Sequence, residues 1–144
     1  MKSYFPDINV WIALSYEAHV HHLPAKQWFD GLTGSRAYFC RFTQLGFLRL
    51  LTHPTVMGDA VKSQQKAWRA YDLLNHDQRV LFLAEPDTEA LDPIFHKLTA
   101  GDRPHTKQWP DAYLAAFARA AELILVTFDR SLAGLVTPNV LLLG

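Results

Sequence analysis

The chain has few of the features that would crosslink a fold or anchor it in a membrane. Cys40 is the only cysteine among 144 residues, which excludes an internal disulfide and a cysteine-rich metal cluster. No apolar run reaches the roughly 20 residues that span a bilayer. The first residues also lack the apolar stretch of a secretory signal. We therefore expect a cytoplasmic protein with no membrane contact.

Net charge is absent as well. The chain has 14 Lys and Arg residues against 14 Asp and Glu residues, so no overall positive field attracts nucleic acid. Any such binding must use a local basic patch. Lys62, Lys66 and Arg69 form one candidate beside Trp68, because their spacing places them on one face of a helix. An ordinary solvated helix face is the alternative interpretation of this stripe.

The composition indicates a packed domain of the α/β class. Hydrophobic residues make up 49% of the chain and aromatic residues 12%, and no repeat or long linker divides it. We therefore predict a single domain over residues 1–144. Short apolar runs alternate with longer segments of helical periodicity, which favours a mainly parallel sheet covered by helices.

The pattern also gives approximate element bounds. The predicted strands are Tyr4–Asp7, Ala37–Cys40, Val80–Leu83, Leu123–Thr127 and Val140–Leu143. The predicted helices are Val10–Tyr16, Pro24–Leu32, Gln44–Leu51, Asp59–Asn75, a segment from Asp87 or Thr88 to Leu98, Asp111–Ala121 and a short helix after Asp129. We expect Pro93 to kink the sixth of these helices or delay its start. The polar segment from Ala100 to Trp109 is predicted to be a loop.

Three aspartates lie beside predicted buried elements. Asp7 and Asp129 directly follow apolar strands, and Asp111 opens a late helix. In an open parallel sheet, ligands bind beyond the carboxyl ends of the strands, where Asp7 and Asp129 belong. Each aspartate alone has a structural explanation as a helix cap or turn residue. Three together predict a shared cation site.

Mg²⁺ or Mn²⁺ suits such a set, because hard cations prefer oxygen ligands and retain several waters. A bound cation can activate a water and neutralise charge on a phosphodiester. Asn9 and Thr127 each lie two residues from one of the aspartates. On a strand that spacing gives the same face, so both can support the carboxylates or metal-bound waters. Backbone capping is the alternative role for these two side chains.

These motifs resemble the PIN domain, and more narrowly the VapC-type toxins of bacterial toxin–antitoxin pairs. The resemblance covers the full length and rests on three ordered motifs, Asp7-x-Asn9, the run Asp111-Ala112-Tyr113-Leu114-Ala115-Ala116 and Leu125-Val126-Thr127-x-Asp129. It implies a three-layer α/β/α nuclease with Mg²⁺ or Mn²⁺ held by Asp7, Asp111 and Asp129. It further implies an RNA substrate (tRNA, rRNA or mRNA), a homodimer and a cognate VapB-type antitoxin.

The sequence departs from that family at one position. Many members carry a Glu on the helix after the second strand, three residues before an Arg. Alignment on Arg49 places Gly46 at the position of this acid, and Gln44 is a neutral substitute one turn away. Asp102 or Glu85 are the acids that remain as replacements. We expect weaker metal affinity or a site for one metal ion.

Several other residues are candidates for substrate contact. The basic residues near the motifs can steer phosphate, and Trp109 can stack on a base. The basic set is Arg41, Arg49, Arg103, Lys107 and Arg130. His105 near Asp111 is either a further contact or solvent-facing. His19, His21 and His22 suggest zinc, but zinc sites generally gather ligands from separate elements, and surface or packing roles are the alternative.

Two other functions compete with a ribonuclease toxin. A protein of this fold with an incomplete acidic set could bind RNA or a partner without cleaving. An aspartyl-phosphate phosphatase using Asp7 ranks last, because that chemistry generally needs a second acid where this chain has Asn9.

Overall fold

A five-stranded sheet forms the centre of the computed structural model, which describes all 144 residues. The strands are β1 (Ser3–Pro6), β2 (Arg36–Phe39), β3 (Val80–Phe82), β4 (Ile124–Thr127) and β5 (Val140–Leu142). Their order in the sheet is β3-β2-β1-β4-β5, and every neighbouring pair is parallel. The predicted α/β class with a parallel sheet is therefore confirmed. The adjacent ends of β1 and β4 bring Asp7 and Asp129 to one edge.

Eight α-helices and one 3₁₀ turn connect the strands. They are α1 (Ile8–Ser15), α2 (His22–Asp30), α3 (Arg41–Leu51), α4 (Pro54–Met57), α5 (Gln64–Asn75), α6 (Thr88–Leu98), α7 (Gln108–Ala120) and α8 (Arg130–Gly134), with the 3₁₀ turn at Gly58–Ala60. None of these helices combines the length and apolarity needed to cross a membrane.

Helices pack on both faces of the sheet and enclose two apolar cores. On one face, Phe5 of β1 stacks on Phe117 of α7 with ring centroids 4.7 Å apart. On the other face, Trp11 of α1 stacks on Phe39 of β2 at 3.9 Å. Successive strand residues point to opposite faces, so β1 and β2 contribute to both cores. The result is the predicted α/β/α arrangement.

Two helix starts differ from the predicted bounds because of local capping. Thr43 was expected to precede its helix, yet α3 begins at Arg41. The Thr43 hydroxyl accepts the Cys40 N–H at 2.9 Å from within the first turn. The predicted helix Asp59–Asn75 is wrong in its first part, since α5 begins at Gln64. Ser63 caps that helix by accepting the Lys66 N–H at 3.2 Å.

Pro110 and Pro93 lie inside helices whose starts were uncertain from the sequence. α7 begins at Gln108, so Pro110 is its third residue and the predicted loop ends at Lys107. The first-turn N–H groups of a helix have no partner in the helix, so proline is tolerated there. α6 begins at Thr88 and continues past Pro93 to Leu98. A later start for α6 is therefore excluded. Asp111 lies in the first turn of α7 and does not cap it.

Candidate active site

Asp7 is a buried carboxylate between β1 and α1. Its side chain is only 4% exposed. Its Oδ1 accepts the Val10 N–H at 3.0 Å, which caps α1, and its Oδ2 accepts the Thr127 hydroxyl at 2.5 Å. Burial raises the pKa of Asp7 to about 6, although both hydrogen bonds lower it. The charge of Asp129 raises it further. Keeping the Asp7 carboxylate ionised in the folded protein therefore costs free energy.

Thr127 links Asp7 to Asp129. It is fully buried at the end of β4, and its hydroxyl donates to Asp7 while accepting the Asp129 N–H at 3.0 Å. Asp129 then caps α8 by accepting the N–H of Ser131 at 2.8 Å and of Leu132 at 3.3 Å. The supporting role predicted for Thr127 is thus consistent with its direct hydrogen bond to Asp7. One hydroxyl fixes the relation between the two acids.

Asp111 lies in the first turn of α7, close enough to Asp129 for the charge of that residue to affect it. Partial burial raises the pKa of Asp111, and the charge of Asp129 raises it further, whereas Lys107 and His105 lower it. Asp111 lines a groove of about 200 Å³ together with His105, Lys107, Gln108, Ser131 and Leu135. The electrostatic field of Asp129 therefore reaches both Asp7 and Asp111.

The three acids are neighbours without forming a closed cluster. No three His, Cys, Asp or Glu side chains lie close enough together to form a complete cation-binding group as they stand. Asp7 and Asp129 both hydrogen-bond to protein groups. Simultaneous binding of one cation by all three aspartates stays a prediction.

Asn9 lies on α1, whereas it was expected between the first strand and the first helix. It is the second residue of α1 and its side chain is exposed. Its backbone N–H helps to lower the pKa of Asp7. The expectation that Asn9 and Asp7 share one face of a strand is therefore wrong, and Asn9 acts on Asp7 through its main chain.

The Ile8 side chain occupies the space beside Gly46, where the side chain of the missing acid would begin. A Cβ atom added to Gly46 would lie 2.2 Å from Ile8 Cδ1 and 2.9 Å from Ile8 Cγ1. Ile8 directly follows Asp7, so α3 approaches α1 closely beside the site. Gln44 is buried and accepts a hydrogen bond from the Arg41 guanidinium. Neither residue adds a negative charge near Asp7.

The two candidate replacement acids lie elsewhere. Glu85 follows β3 and accepts the hydroxyl of Tyr113 at 2.5 Å. This contact helps to raise the pKa of Tyr113 above its usual range, with burial as the main cause. Asp102 is exposed in the segment between α6 and α7. Glu85 therefore fastens the segment after β3 to α7, two residues beyond Asp111.

The candidate substrate contacts divide into separate surfaces. Lys107 shares the groove of Asp111. Arg103 and Trp109 line an adjacent groove with His105, and Trp109 is 54% exposed. Arg49 lines a different groove, between α3 and α5, with Trp68. Trp68 is 48% exposed, so both tryptophan rings are accessible at the surface.

The three histidines make packing contacts close to the acidic edge. The ring of His21 stacks on Phe128 with centroids 4.3 Å apart. His19 Nδ1 accepts the His21 N–H at 3.0 Å, and His22 Nδ1 lies 2.7 Å from the Ala13 carbonyl oxygen. Phe128 separates Thr127 from Asp129, so the loop before α2 supports the end of β4.

Three residues that line the Asp111 groove were not predicted from the sequence, namely Gln108, Ser131 and Leu135. Ser131 and Leu135 contribute from α8 and from the residue that follows it. The only signal for them was the short helix expected after Asp129. The orientation of this helix, α8, depends on the cap that Asp129 provides.

Comparison of the sequence with known protein families identifies the family of this chain. The model of the PIN domain matches residues 4–135. The chain belongs to the PIN-domain family. Ribonuclease VapC41 of Mycobacterium tuberculosis is 41% identical over 128 residues, covering 85% of this chain and 86% of that protein. Ribonuclease VapC38 of the same organism is 32% identical over 123 residues, covering 85% and 82%. The resemblance of this PIN domain to VapC-type proteins is confirmed.

Solved structures share the fold of this PIN domain. The structure of VapBC2 from Rickettsia felis, bound to a DNA fragment from their promoter, superposes with a TM-score of 0.71 at 12% identity and covers 99% of both chains. Mycobacterium tuberculosis VapC20, described as a Sarcin-Ricin loop cleaving toxin, gives a TM-score of 0.64 at 15% identity and covers 91% of this chain and 93% of that chain.

Proposed function

We propose that this PIN domain is a Mg²⁺- or Mn²⁺-dependent endoribonuclease, the toxin of a type II toxin–antitoxin pair, acting as one domain over residues 1–144. The observation that carries the proposal is the hydrogen-bonded connection Asp7–Thr127–Asp129 at the carboxyl edge of the sheet. The ribonuclease names of its relatives support the reaction class.

The charges of the site fit a divalent cation. The only ion pairs of the protein join Lys26 to Asp30 and Arg79 to Asp77, so no basic side chain pairs with the three site aspartates. A buried carboxylate without a compensating charge is costly. Asp7, Asp129 and Asp111 would hold the ion, partly through waters that hard cations retain. When bound, Mg²⁺ or Mn²⁺ acidifies a water and offsets phosphate charge.

The residues around the proposed cation have separate roles. Thr127 fixes the orientation of Asp7 and stabilises its ionised form by donating a hydrogen bond to it. Asp129 is fixed by the N-terminus of α8. Lys107, in the groove of Asp111, would bind a phosphate oxygen of the RNA. Trp109 in the adjoining groove would contact a neighbouring base.

The relatives support an antitoxin as a proposed partner. The Rickettsia felis structure contains a VapBC2 complex, which supports a VapB-type antitoxin as the partner of this chain. We further propose that the protein forms a homodimer and acts in the bacterial cytoplasm. Mycobacterium tuberculosis VapC20 cleaves the Sarcin-Ricin loop, which makes structured RNA (tRNA, rRNA or mRNA) a reasonable first substrate class to test.

A second candidate function is RNA or partner binding without cleavage. The Ile8 side chain occupies the space beside Gly46, so one negative charge of the usual family set has no room in this packing. A site with fewer acids binds a cation less tightly. Tight RNA binding combined with no cleavage in Mn²⁺ would favour this candidate.

Cleavage of total RNA by the purified chain tests the proposal. We expect fragments in Mg²⁺ or Mn²⁺, none in EDTA, and at least a hundredfold slower cleavage by Asp7→Asn and Asp129→Asn. Asp77→Asn is the matched control, because Asp77 pairs with Arg79 away from the site. EDTA-resistant cleavage, or full activity in Asp7→Asn, would contradict the assignment.

A further inference from the structure

Three basic side chains line one groove outside the aspartate site. Lys62, Lys66 and Arg69 surround a cavity of about 330 Å³ together with Ser15, Ala70 and Leu73. Lys62 precedes α5 and was expected to lie within that helix. Its N–H donates to the Leu51 carbonyl at 2.8 Å, which fixes its backbone beside the groove. The three cations therefore converge although α5 begins two residues after Lys62.

No acidic side chain neutralises these cations. Neither ion pair of the protein includes them. Asp72 is the only acidic residue of α5, and it forms no ion pair with Arg69, three residues earlier. In a chain of zero net charge, this groove is a local positive region. Local positive charge is what phosphate binding requires.

An exposed aromatic ring lies next to the cations on α5. Trp68 is 48% exposed and packs edge-on against Tyr71, with centroids 5.9 Å apart and an interplanar angle of 84°. It lines a second groove, of about 360 Å³, with Arg49. One helix thus combines a cationic side with an aromatic side. Proteins that bind single-stranded nucleic acid combine these two features, since phosphates contact the cations and bases stack on the rings.

The groove is connected to the aspartate site by a single helix. Asp7 caps the first turn of α1, and Ser15, its last residue, lines the groove. Eight residues at about 1.5 Å each give a separation of about 12 Å along the helix. About four stacked nucleotides at roughly 3.4 Å each cover this distance. The two places therefore lie within the length of a short RNA strand.

We propose that the α5 surface, formed by Lys62, Lys66, Arg69 and Trp68, is a binding site for single-stranded RNA outside the cleaved bond. This assignment rests on the proposed ribonuclease function only for the identity of the RNA as substrate. An acidic peptide would use the three cations but would leave the exposed Trp68 ring without a role. RNA uses both.

Binding measurements on the α5 surface test the assignment without any cleavage. The probe is a fluorescein-labelled single-stranded RNA of mixed sequence, about 20 nucleotides long, which exceeds the site of a typical single-strand-binding module. Anisotropy is measured in EDTA at several salt concentrations for four proteins. They are the unchanged chain, Lys62→Ala/Lys66→Ala/Arg69→Ala, Trp68→Ala, and the matched control Arg36→Ala/Lys97→Ala/Arg119→Ala, which removes three other exposed cations.

We expect the α5 triple variant to raise the Kd at least tenfold and to reduce the slope of log K against log salt by about 2, at about 0.7 per phosphate contact. Trp68→Ala should raise the Kd about tenfold with an unchanged slope. The control should match the unchanged chain. Equal losses in the control and α5 triple variants would overturn the proposal. The proposal would also be overturned if the α5 triple variant kept its RNA affinity but bound poly-glutamate more weakly.

Cleavage kinetics separate this proposal from the ribonuclease assignment. In the α5 triple variant, KM for a long RNA should rise about tenfold while kcat for a short oligoribonucleotide stays unchanged. Failure of the unchanged chain to cleave any RNA would contradict the ribonuclease assignment alone, because the α5 surface is judged by the binding measurements.

Discussion

The Thr127 hydroxyl donates a hydrogen bond of 2.5 Å to Asp7 Oδ2 across 120 residues of sequence. The contact joins the ends of β1 and β4, which are neighbours in the sheet. Thr127 also receives the Asp129 N–H. The geometry of the two acids is therefore determined by the sheet itself and by one buried hydroxyl.

Thr127→Val should shift the pH dependence of RNA cleavage. The hydrogen bond from Thr127 lowers the pKa of Asp7, so its loss should raise that pKa above about 6. A hydrogen bond to a charged group contributes about 1.5–3 kcal/mol, so the acid limb of the pH–rate profile should move up by about one pH unit. Thr127→Ser, which keeps the hydroxyl, should retain the original profile. An unchanged profile in Thr127→Val would show that this bond does not tune Asp7.

Asp7 should make the cation-free protein less stable as pH rises. Its pKa is about 6 in the folded chain, above the usual value of 3.8, so the folded state binds more protons than the unfolded state between these values. The free energy of unfolding should therefore fall from about pH 4 to pH 6 through this group, by up to about 3 kcal/mol. Urea unfolding in EDTA, repeated at several pH values, measures this change in the free energy of unfolding.

Asp7→Asn provides the comparison for this measurement. The variant lacks the titrating group, so its stability relative to the unchanged chain should increase between pH 4 and pH 7. Other acids titrate equally in both proteins and cancel in the difference. A difference that stays constant over this range would mean that Asp7 is not a buried titrating carboxylate.

Gly46 and Ile8 should be coupled in stability. Gly46→Ala alone should destabilise the protein by about 1 kcal/mol, because the new Cβ forces Ile8 out of its rotamer. In an Ile8→Ala background, the same substitution should instead stabilise α3 by up to about 1 kcal/mol through helix propensity. A double-mutant cycle by urea unfolding detects this change of sign. The same effect in both backgrounds would mean that Ile8 does not fill this space.

The strands were predictable because their signal is local. Leu123–Thr127 and Ala37–Cys40 are short apolar runs bounded by turn residues, and both are strands within one residue of the predicted bounds. Helix starts were less predictable, since they depend on which side chain caps the first turn. Ser63, for example, caps α5, which begins at Gln64, five residues later than the predicted start at Asp59.

The candidate site was predictable in composition and less so in arrangement. The positions of Asp7 and Asp129 after strands followed from the pattern, and Thr127 was correctly associated with them. The packing of Ile8 against Gly46 was not predictable, because it depends on how closely α1 and α3 approach. Asn9 was misplaced because Asp7 starts α1 at once, through its bond to Val10.

Mn²⁺ binding, measured by calorimetry at pH 7.5, tests most directly whether the three acids share a cation. We expect one Mn²⁺ site in the unchanged chain, with the affinity at least tenfold weaker in each of Asp7→Asn, Asp111→Asn and Asp129→Asn. Asp77→Asn should bind as the unchanged chain does. Equal Mn²⁺ affinity in all of these proteins, or no binding by any, would contradict the account.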